Sequence, residues 1–244
     1  MQIDARGVHY QDLNRMLKEA AAAGEKEFVL DNVNGQRYIG TGVNLPVNIV
    51  INGVPGNDLA AFMDGPAVTV YANAQDGVAN TMNAGTVVVH GSAGDVLGYG
   101  MRGGKLYIRN NVGYRVGIHM KEYKRQVPVI IAGGTAEDFF GEYMAGGVLI
   151  LLGLERRQGE PLTGDYLGTG MHGGVIYLRG PVEPYKLGKE VAVLELDDGD
   201  EKILGKYLKE YCDCFGLDYQ AVREEPFVKL LPVSSRPYGR LYVY

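Results

Sequence analysis

Cysteine is scarce: only Cys212 and Cys214 occur, one residue apart. That excludes a disulfide framework and makes a reducing cytoplasm the expected compartment. Positive charge is also short. Twenty-four Lys and Arg stand against 29 Asp and Glu, a net charge of −5, so the chain-wide footprint of a nucleic-acid partner is missing. No apolar run approaches the roughly 20 residues needed to cross a bilayer. Met1–Arg6 lacks the charged-then-apolar leader of a secretory signal. The expectation is a cytoplasmic protein with no membrane partner. Glycine is what the chain has in excess, 36 of 244 residues, about twice the usual share of roughly 7%. Because glycine costs backbone entropy, an ordered chain keeps so many only for corners or close backbone approach.

A 19-residue ruler supplies those corners. Met63, Met82, Met101 and Met120 lie 19 residues apart, Met144 follows after 24 and Met171 after 27. Three positions before each stands a small residue: Ala60, Ala79, Gly98, Gly117, Gly141, Gly168. Six before come Asn57, Asp76, Asp95, Tyr114, Asp138 and Asp165. Just after come Ala84-Gly85, Gly103-Gly104, Gly146-Gly147 and Gly173-Gly174, which the fourth turn replaces with Glu122-Tyr123. Five past the anchor sit Val68, Val87, Leu106, Leu149 and Ile176; seven past sit Val70, Val89, Ile108, Leu151 and Leu178. The position between them holds Thr69, Val88, Tyr107, Ile150 or Tyr177. One strictly apolar face at a period of two means an inward face. Counting back from Met63 sets the first anchor at Asn44, with Ile49 and Ile51 inward, and gives seven turns.

Nineteen residues are too few for a βαβ unit, which needs about 30. A strand returning at that interval can stack parallel on its predecessor at about 4.8 Å. The expected fold is therefore all-β: a single-stranded parallel β-helix, right-handed by crossover rules. Open ends need lids. Residues 1–35 read as an N-terminal cap, with a helix over Asp12–Ala20 stopped by Gly24 and a strand over Lys26–Leu30. Residues 36–181 form the column. Residues 182–244 read as a C-terminal cap, with a helix over Asp200–Phe215 stopped by Gly216, then an extended aromatic tail from Phe227 to Tyr244.

The run Asp31-Asn32-Val33-Asn34-Gly35-Gln36-Arg37-Tyr38-Ile39-Gly40-Thr41-Gly42 resembles the opening of the GXGXG domain of the glutamate synthase large subunit. So do Gly141-Glu142-Tyr143-Met144-Ala145-Gly146-Gly147-Val148 and Gly168-Thr169-Gly170-Met171-His172-Gly173-Gly174. The resemblance extends over about residues 31–180 and is nearest to a stand-alone form of that domain. It implies a right-handed β-helix scaffold in a complex making glutamate from glutamine and 2-oxoglutarate. The implied partners are a glutaminase (class II amidotransferase) chain and a synthase chain that holds FMN and an iron–sulfur cluster. The family assigns this domain no catalytic residues and no cofactor of its own. The β-helix scaffold chain of formylmethanofuran dehydrogenase, part of another complex, shares the repeat. The sequence begins Met1-Gln2-Ile3 and not with the family's nucleophilic cysteine. Its two cysteines also fall short of the four a [4Fe–4S] cluster takes.

Other motifs invite chemistry. Gly98-Tyr99-Gly100-Met101-Arg102-Gly103 and Gly168-Thr169-Gly170-Met171-His172-Gly173 fit GxGxxG, but a strand follows each where a dinucleotide site needs a helix. They read as corners, as do Gly98, Gly103, Gly104, Gly117, Gly141, Gly146, Gly147, Gly168, Gly173 and Gly174. Ser92, in His90-Gly91-Ser92-Ala93-Gly94-Asp95, lacks the G-x-S-x-G elbow of a hydrolase. A carbohydrate-active column would need paired acids on one outer face, whereas Asp76, Asp95, Asp138 and Asp165 sit at corners. His9, His90, His119 and His172 share no metal-ligand spacing, and Cys212 with Cys214 is too few for a closed zinc site. Arg102, Lys105, Arg109, Arg115, Lys121, Lys124 and Arg125 form a basic stretch. It reads either as a solvated face or as a docking strip for an acidic partner. Self-association is also compatible with the sequence.

Overall fold

A computed structural model describes residues 1–157 and 159–235. Nine strands stack parallel in chain order. They are β1 (Gln2–Asp4), β2 (Glu27–Asn34), β3 (Asn48–Val54), β4 (Asp64–Val70), β5 (Ala84–Val89), β6 (Lys105–Ile108), β7 (Val129–Ala132), β8 (Ala145–Leu151) and β9 (Gly173–Arg179). Register joins Ile49, Val68, Val87, Leu106, Ile130, Leu149 and Ile176 in one file of partners. A second file runs Ile51, Val70, Val89, Ile108, Ala132, Leu151, Leu178 in the same pairings. Both files are buried in one cluster. Fully burying such an aliphatic contributes about 1.5–3 kcal/mol, so the column axis is the main stabilising feature. This is the expected β-helix.

The two longer repeats place their extra residues differently. Ile130 lies ten positions past Met120 where the other turns have five, so the fourth turn gains its residues between corner and strand. The fifth turn gains its residues after β8, between Leu151 and Met171. The first anchor is Val43 and not Asn44. Gly42 takes φ 65 and donates to the Ala61 carbonyl, the corner geometry one residue earlier than counting back 19 predicts, so Val43 is buried while Asn44 is exposed. Stacking also begins earlier than expected. β2 pairs in register with β3 from Glu27↔Asn48, and β1 pairs with β2, so the lead-in segment is part of the column.

Helix α1 (Tyr10–Ala22) buries Leu13, Leu17 and Ala21 against the main core with Phe28 and Leu30, and so closes the N-terminal end. The expected C-terminal lid takes another place. Helix α2 (Asp198–Phe215) is capped at its start by Asp197, which accepts from the Gly199 and Asp200 N–H groups, and ended by Gly216 at φ 63. Its Leu204, Leu208, Tyr211 and Cys212 pack on the outward residues Val88, Tyr107, Ile131, Ile150 and Tyr177 in a second core. It therefore braces the outer face of β5–β9, so Val88, Tyr107, Ile131, Ile150 and Tyr177 are buried there while Val50 and Thr69, earlier in the same file, stay half-buried. A short helix α3 (Tyr219–Arg223) adds Val222 to that core. The far end is finished by β11 (Phe227–Pro232), antiparallel on β9, and by β10 (Val191–Leu194), antiparallel on β11. The expected extended tail is seen as β11; its remainder from 236 lies outside the described residues.

Candidate functional site

The corners are built by alternating left-handed residues. Positions five, three and one before each anchor take φ near +60°, for example Gly77, Ala79 and Thr81 or Arg115, Gly117 and His119. Between them an apolar residue points inward: Leu59, Val78, Leu97, Val116, Phe140 and Leu167 are all fully buried. The opposite side of the corner faces solvent. There Tyr99 meets His119 edge-on at 5.8 Å, and His119 stacks on Tyr143 at 5.3 Å. Phe139 stacks on Tyr166 at 4.8 Å, with the Arg115 guanidinium 4.4 Å over Phe139 and paired to the buried Glu142 carboxylate. The result is a ridged outer face carrying exposed aromatics from Phe62 through Tyr99 and Tyr114 to Tyr166.

The fourth turn interrupts that face. Its added residues form a tight hairpin in which Tyr123 and Gln126 exchange backbone hydrogen bonds of 3.1 and 3.0 Å, with Lys124 at φ 58 beside Arg125 at the tip. The base is held. Glu122 Oε1 accepts from the Gly147 N–H at 3.0 Å. A Cβ on Gly146 would lie 2.6 Å from the Glu122 nitrogen, and one on Gly103 would meet Gln126 Cβ at 3.0 Å. Glycines above and below thus make room for the hairpin.

The basic stretch divides into two kinds of cation. Lys105 pairs with Glu210, Arg109 with Glu155 at 3.1 Å, and Arg115 with Glu142. Arg102, Lys121, Lys124 and Arg125 are exposed and have no ion-pair partner among the described residues. Lys124 lies 5.1 Å over the Tyr123 ring, and Tyr99, Tyr123 and Val127 are exposed in the same stretch of chain. Exposed aromatics beside unpaired Arg and Lys bring together Tyr and Arg, two residue types enriched in protein interfaces. The strip anticipated from the sequence is therefore narrower: three of its seven cations are structural.

The remaining residues singled out in the sequence are dispersed. Ser92 donates its N–H to Asn73 Oδ1 at 2.9 Å, within a corner and not at a strand–turn–helix elbow. Asp76 accepts from the Asp95 N–H, Asp95 from the Tyr114 N–H and Asp138 from the Asp165 N–H, each at 2.8–2.9 Å. The corner acids thus tie successive turns together. His90 lies between Tyr71 and Phe215, and burial beside Arg109 lowers its pKa. His172 Nδ1 contacts the Gly170 carbonyl at 3.1 Å, and His9 packs on Tyr10 at the start of α1. Cys212 and Cys214 both meet the outer core, where burial pushes both thiols up. Among the described residues no three His, Cys, Asp or Glu side chains gather where they could hold a metal ion, and no helix is long and apolar enough to cross a membrane. Each glycine pair has divided tasks. Gly104, Gly147 and Gly174 take φ of 80°, 94° and 81°, while a Cβ on Gly103 or Gly173 would fall 2.2–2.3 Å from a carbonyl oxygen of the turn below.

Sequence reasoning missed the inward file from Leu59 to Leu167. Its signal was present, an apolar residue four before every anchor, but an inward residue set among three left-handed ones fits no strand or helix period. The hairpin was visible only as a gap in the glycine pattern.

Comparison with known proteins agrees with this architecture. A protein of Methanocaldococcus jannaschii that carries no assigned function is 46% identical over 98% of this chain and 95% of its own length. A chain of the formyltransferase/hydrolase complex of Methylorubrum extorquens, solved with methylofuran, shares the fold. Its TM-score is 0.63 at 21% identity, covering 82% of this chain and 71% of that one. The signature of the GXGXG motif family matches residues 28–231. The match takes in β2 to β9, the brace helix and β11, and this chain belongs to the GXGXG motif family.

Proposed function

We propose that this chain is a non-catalytic scaffold on which other chains dock, within a complex that makes glutamate from glutamine. The observation that carries the reading is the fourth-turn hairpin. It is an added element, held at its base by Glu122 and Gly147, that presents Tyr123, Lys124 and Arg125 from a rigid column. A docking site gains from a rigid support because less order is lost on binding. The glutamate reading rests on the resemblance of residues 31–42 and 168–174 to the synthase domain. Its partners are then a glutaminase chain and a chain with FMN and an iron–sulfur cluster, and the column spaces the two. A second reading is favoured by the likeness to a chain of the methylofuran complex: a scaffold in a complex handling one-carbon units on a furan carrier.

Gentle purification of the native chain, followed by mass spectrometry and flavin and metal analysis, tests both. Co-elution of an amidotransferase chain with FMN and iron supports the first. Formyl-transferring or molybdenum- or tungsten-bearing partners support the second. Recovery of the chain with no partner at all sinks the scaffold role.

A further inference from the structure

The sheet has two free edges, β1 and β10, and they are treated differently. β1 is three residues long and crowded with charge. Asp4 is bound by Arg6 and Asn32, Gln2 donates to Asp31, and the N-terminal ammonium pairs with Glu25 at 3.3 Å. Charge and shortness are how sheets avoid unwanted pairing. β10 reads Val191-Ala192-Val193-Leu194, with no charge, proline or bulge, and Val193 and Leu194 are each 45% exposed. Among the described residues nothing pairs with its outer side.

Which backbone groups are free follows from the ladder. Val233 donates to the Glu190 carbonyl at 2.8 Å, which makes Glu190 and Val233 a hydrogen-bonded pair. By antiparallel alternation Ala192 and Leu194 also face β11, so the N–H and C=O of Val193, the Val191 carbonyl and the Glu195 N–H point outward. The Val191 N–H is turned back to Gly188 at 3.3 Å.

We infer that β10 pairs antiparallel with β10 of a second copy of this chain, joining two columns end to end through one continuous sheet. A two-fold contact must be self-complementary, and this edge is. Setting Val191 against Val193 of the second copy keeps outward-facing groups opposite each other and places Ala192 on its own counterpart. The same register brings Lys189, in the turn before the strand, beside Glu195, just after it, and does so twice. Both side chains are exposed and neither has an ion pair among the described residues. Shifting each strand by one residue would instead set Val191 against Glu195 and Lys189 against Asp197, the residue that caps α2. A four-residue edge buries less than the roughly 1,200–2,000 Å² of a stable complex, so the dimer is concentration-dependent.

The test is sedimentation equilibrium of the full chain over a wide concentration range. The wild type dimerises reversibly. Val193→Pro removes an N–H that faces the free edge and not β11, and leaves a monomer with an unchanged melting temperature. Lys189→Glu and Glu195→Lys each weaken the dimer by about tenfold or more, and the double variant recovers it. Lys124→Glu/Arg125→Glu, which slows partner docking if the proposed scaffold role holds, leaves the dimer intact, so the two ideas fail separately. A monomeric wild type overturns the inference. So does a dimer indifferent to Val193→Pro, or a chain ended at Ser235 that dimerises when the full chain does not, since residues 236–244 would then be the occupant of the edge.

Discussion

Tyr177, at the centre of β9, donates a 2.6 Å hydrogen bond to Asp200 Oδ1 in the first turn of α2. The second oxygen of that carboxylate accepts from the Asp197 N–H at 2.8 Å and from Lys229 of β11, so one buried acid joins strand, helix and returning strand. Ten residues along the same helix the arrangement recurs. Glu210 accepts from the Tyr107 hydroxyl at 3.0 Å and pairs with Lys105 on β6. Ten helical residues span about 15 Å, and β6 and β9 are three strand spacings, about 14 Å, apart. The helix runs across the strands and is pinned near both ends.

Removing either partner of Asp200 should loosen the brace, by different amounts. Tyr177→Phe deletes a hydrogen bond to a charged group and should destabilise the chain by about 1.5–3 kcal/mol. Lys229→Met strands a buried carboxylate and should be worse, about 3–5 kcal/mol. The pair Lys229→Met with Asp200→Asn should be milder than Lys229→Met alone, because no unpaired charge is left. Urea midpoints of the wild type and the three variants decide it. If Lys229→Met proved the mildest of the changes, the buried pair would not be what holds α2.

The same acids set the response to acid. Burial pushes the Asp200 carboxyl up, but hydrogen bonds from Lys229, Tyr177 and the Asp197 N–H outweigh it and hold the pKa below its usual 3.8. Glu210 is likewise pushed up by burial and held below 4.5 by Lys105 and Tyr107. A depressed carboxyl contributes stability above its unfolded pKa and loses it as pH falls through the folded one. These two acids should therefore leave the melting temperature unchanged from neutrality down to about pH 4.5 and lower it below that, on top of the loss that begins below about pH 6.5 because burial depresses His90. Lys229 has its pKa raised above 10.5 by Asp200, so its contribution is lost only in alkali above that value. Tyr177→Phe removes one of the bonds that depress Asp200, so it should lose less on acidification and complete that loss at a higher pH than the wild type.

The column was legible because its inward residues repeat at one interval: Val68, Val87 and Leu106 become register partners as spacing alone requires. The brace was not. Val88, Tyr107 and Tyr177 stand at the varied position between the two apolar files, and only the arrival of α2 explains why they are buried. A helix's stripe can be counted in sequence, but the surface that receives it depends on tertiary contact. The free cations of the hairpin were hidden for the same reason, since Glu210, Glu155 and Glu142 lie far along the chain from the cations they neutralise.

Corner glycines divide into replaceable and irreplaceable ones. Gly117 has φ 73, and a Cβ there would lie 2.7 and 2.9 Å from the methyl carbons of Leu149 in the core. Gly117→Ala adds backbone strain to overpacking, which alone amounts to roughly 1–3 kcal/mol. Ala79 occupies the equivalent corner two turns earlier with φ 60. Ala79→Gly relieves a left-handed strain of about 1–2 kcal/mol while freeing the unfolded chain by about 0.4–1 kcal/mol, so its net effect should be small. Thermal melts that found Ala79→Gly the more damaging change would contradict the shared corner geometry.

Docking through the hairpin should show itself in rate and salt dependence. Arg102, Lys121, Lys124 and Arg125 are unpaired, among the described residues, on a chain whose overall charge is −5, so their field is local and any acidic partner meets it at short range. Screening shrinks from about 10 Å at 0.1 M salt to about 3 Å at 1 M, and association steered by such charges slows accordingly. Lys124→Glu/Arg125→Glu should cut the association rate with the co-purified partner by about tenfold at low salt, and the difference should narrow as salt is raised. Lys18→Glu, an exposed cation on α1 at the other end of the column, changes net charge as well but should leave the rate near that of the wild type. Stopped-flow or surface-binding kinetics at two ionic strengths separate the cases. Slowing by Lys18→Glu in proportion to its charge change, half that of the hairpin double substitution, would mean that total charge, and not this hairpin, guides the partner in.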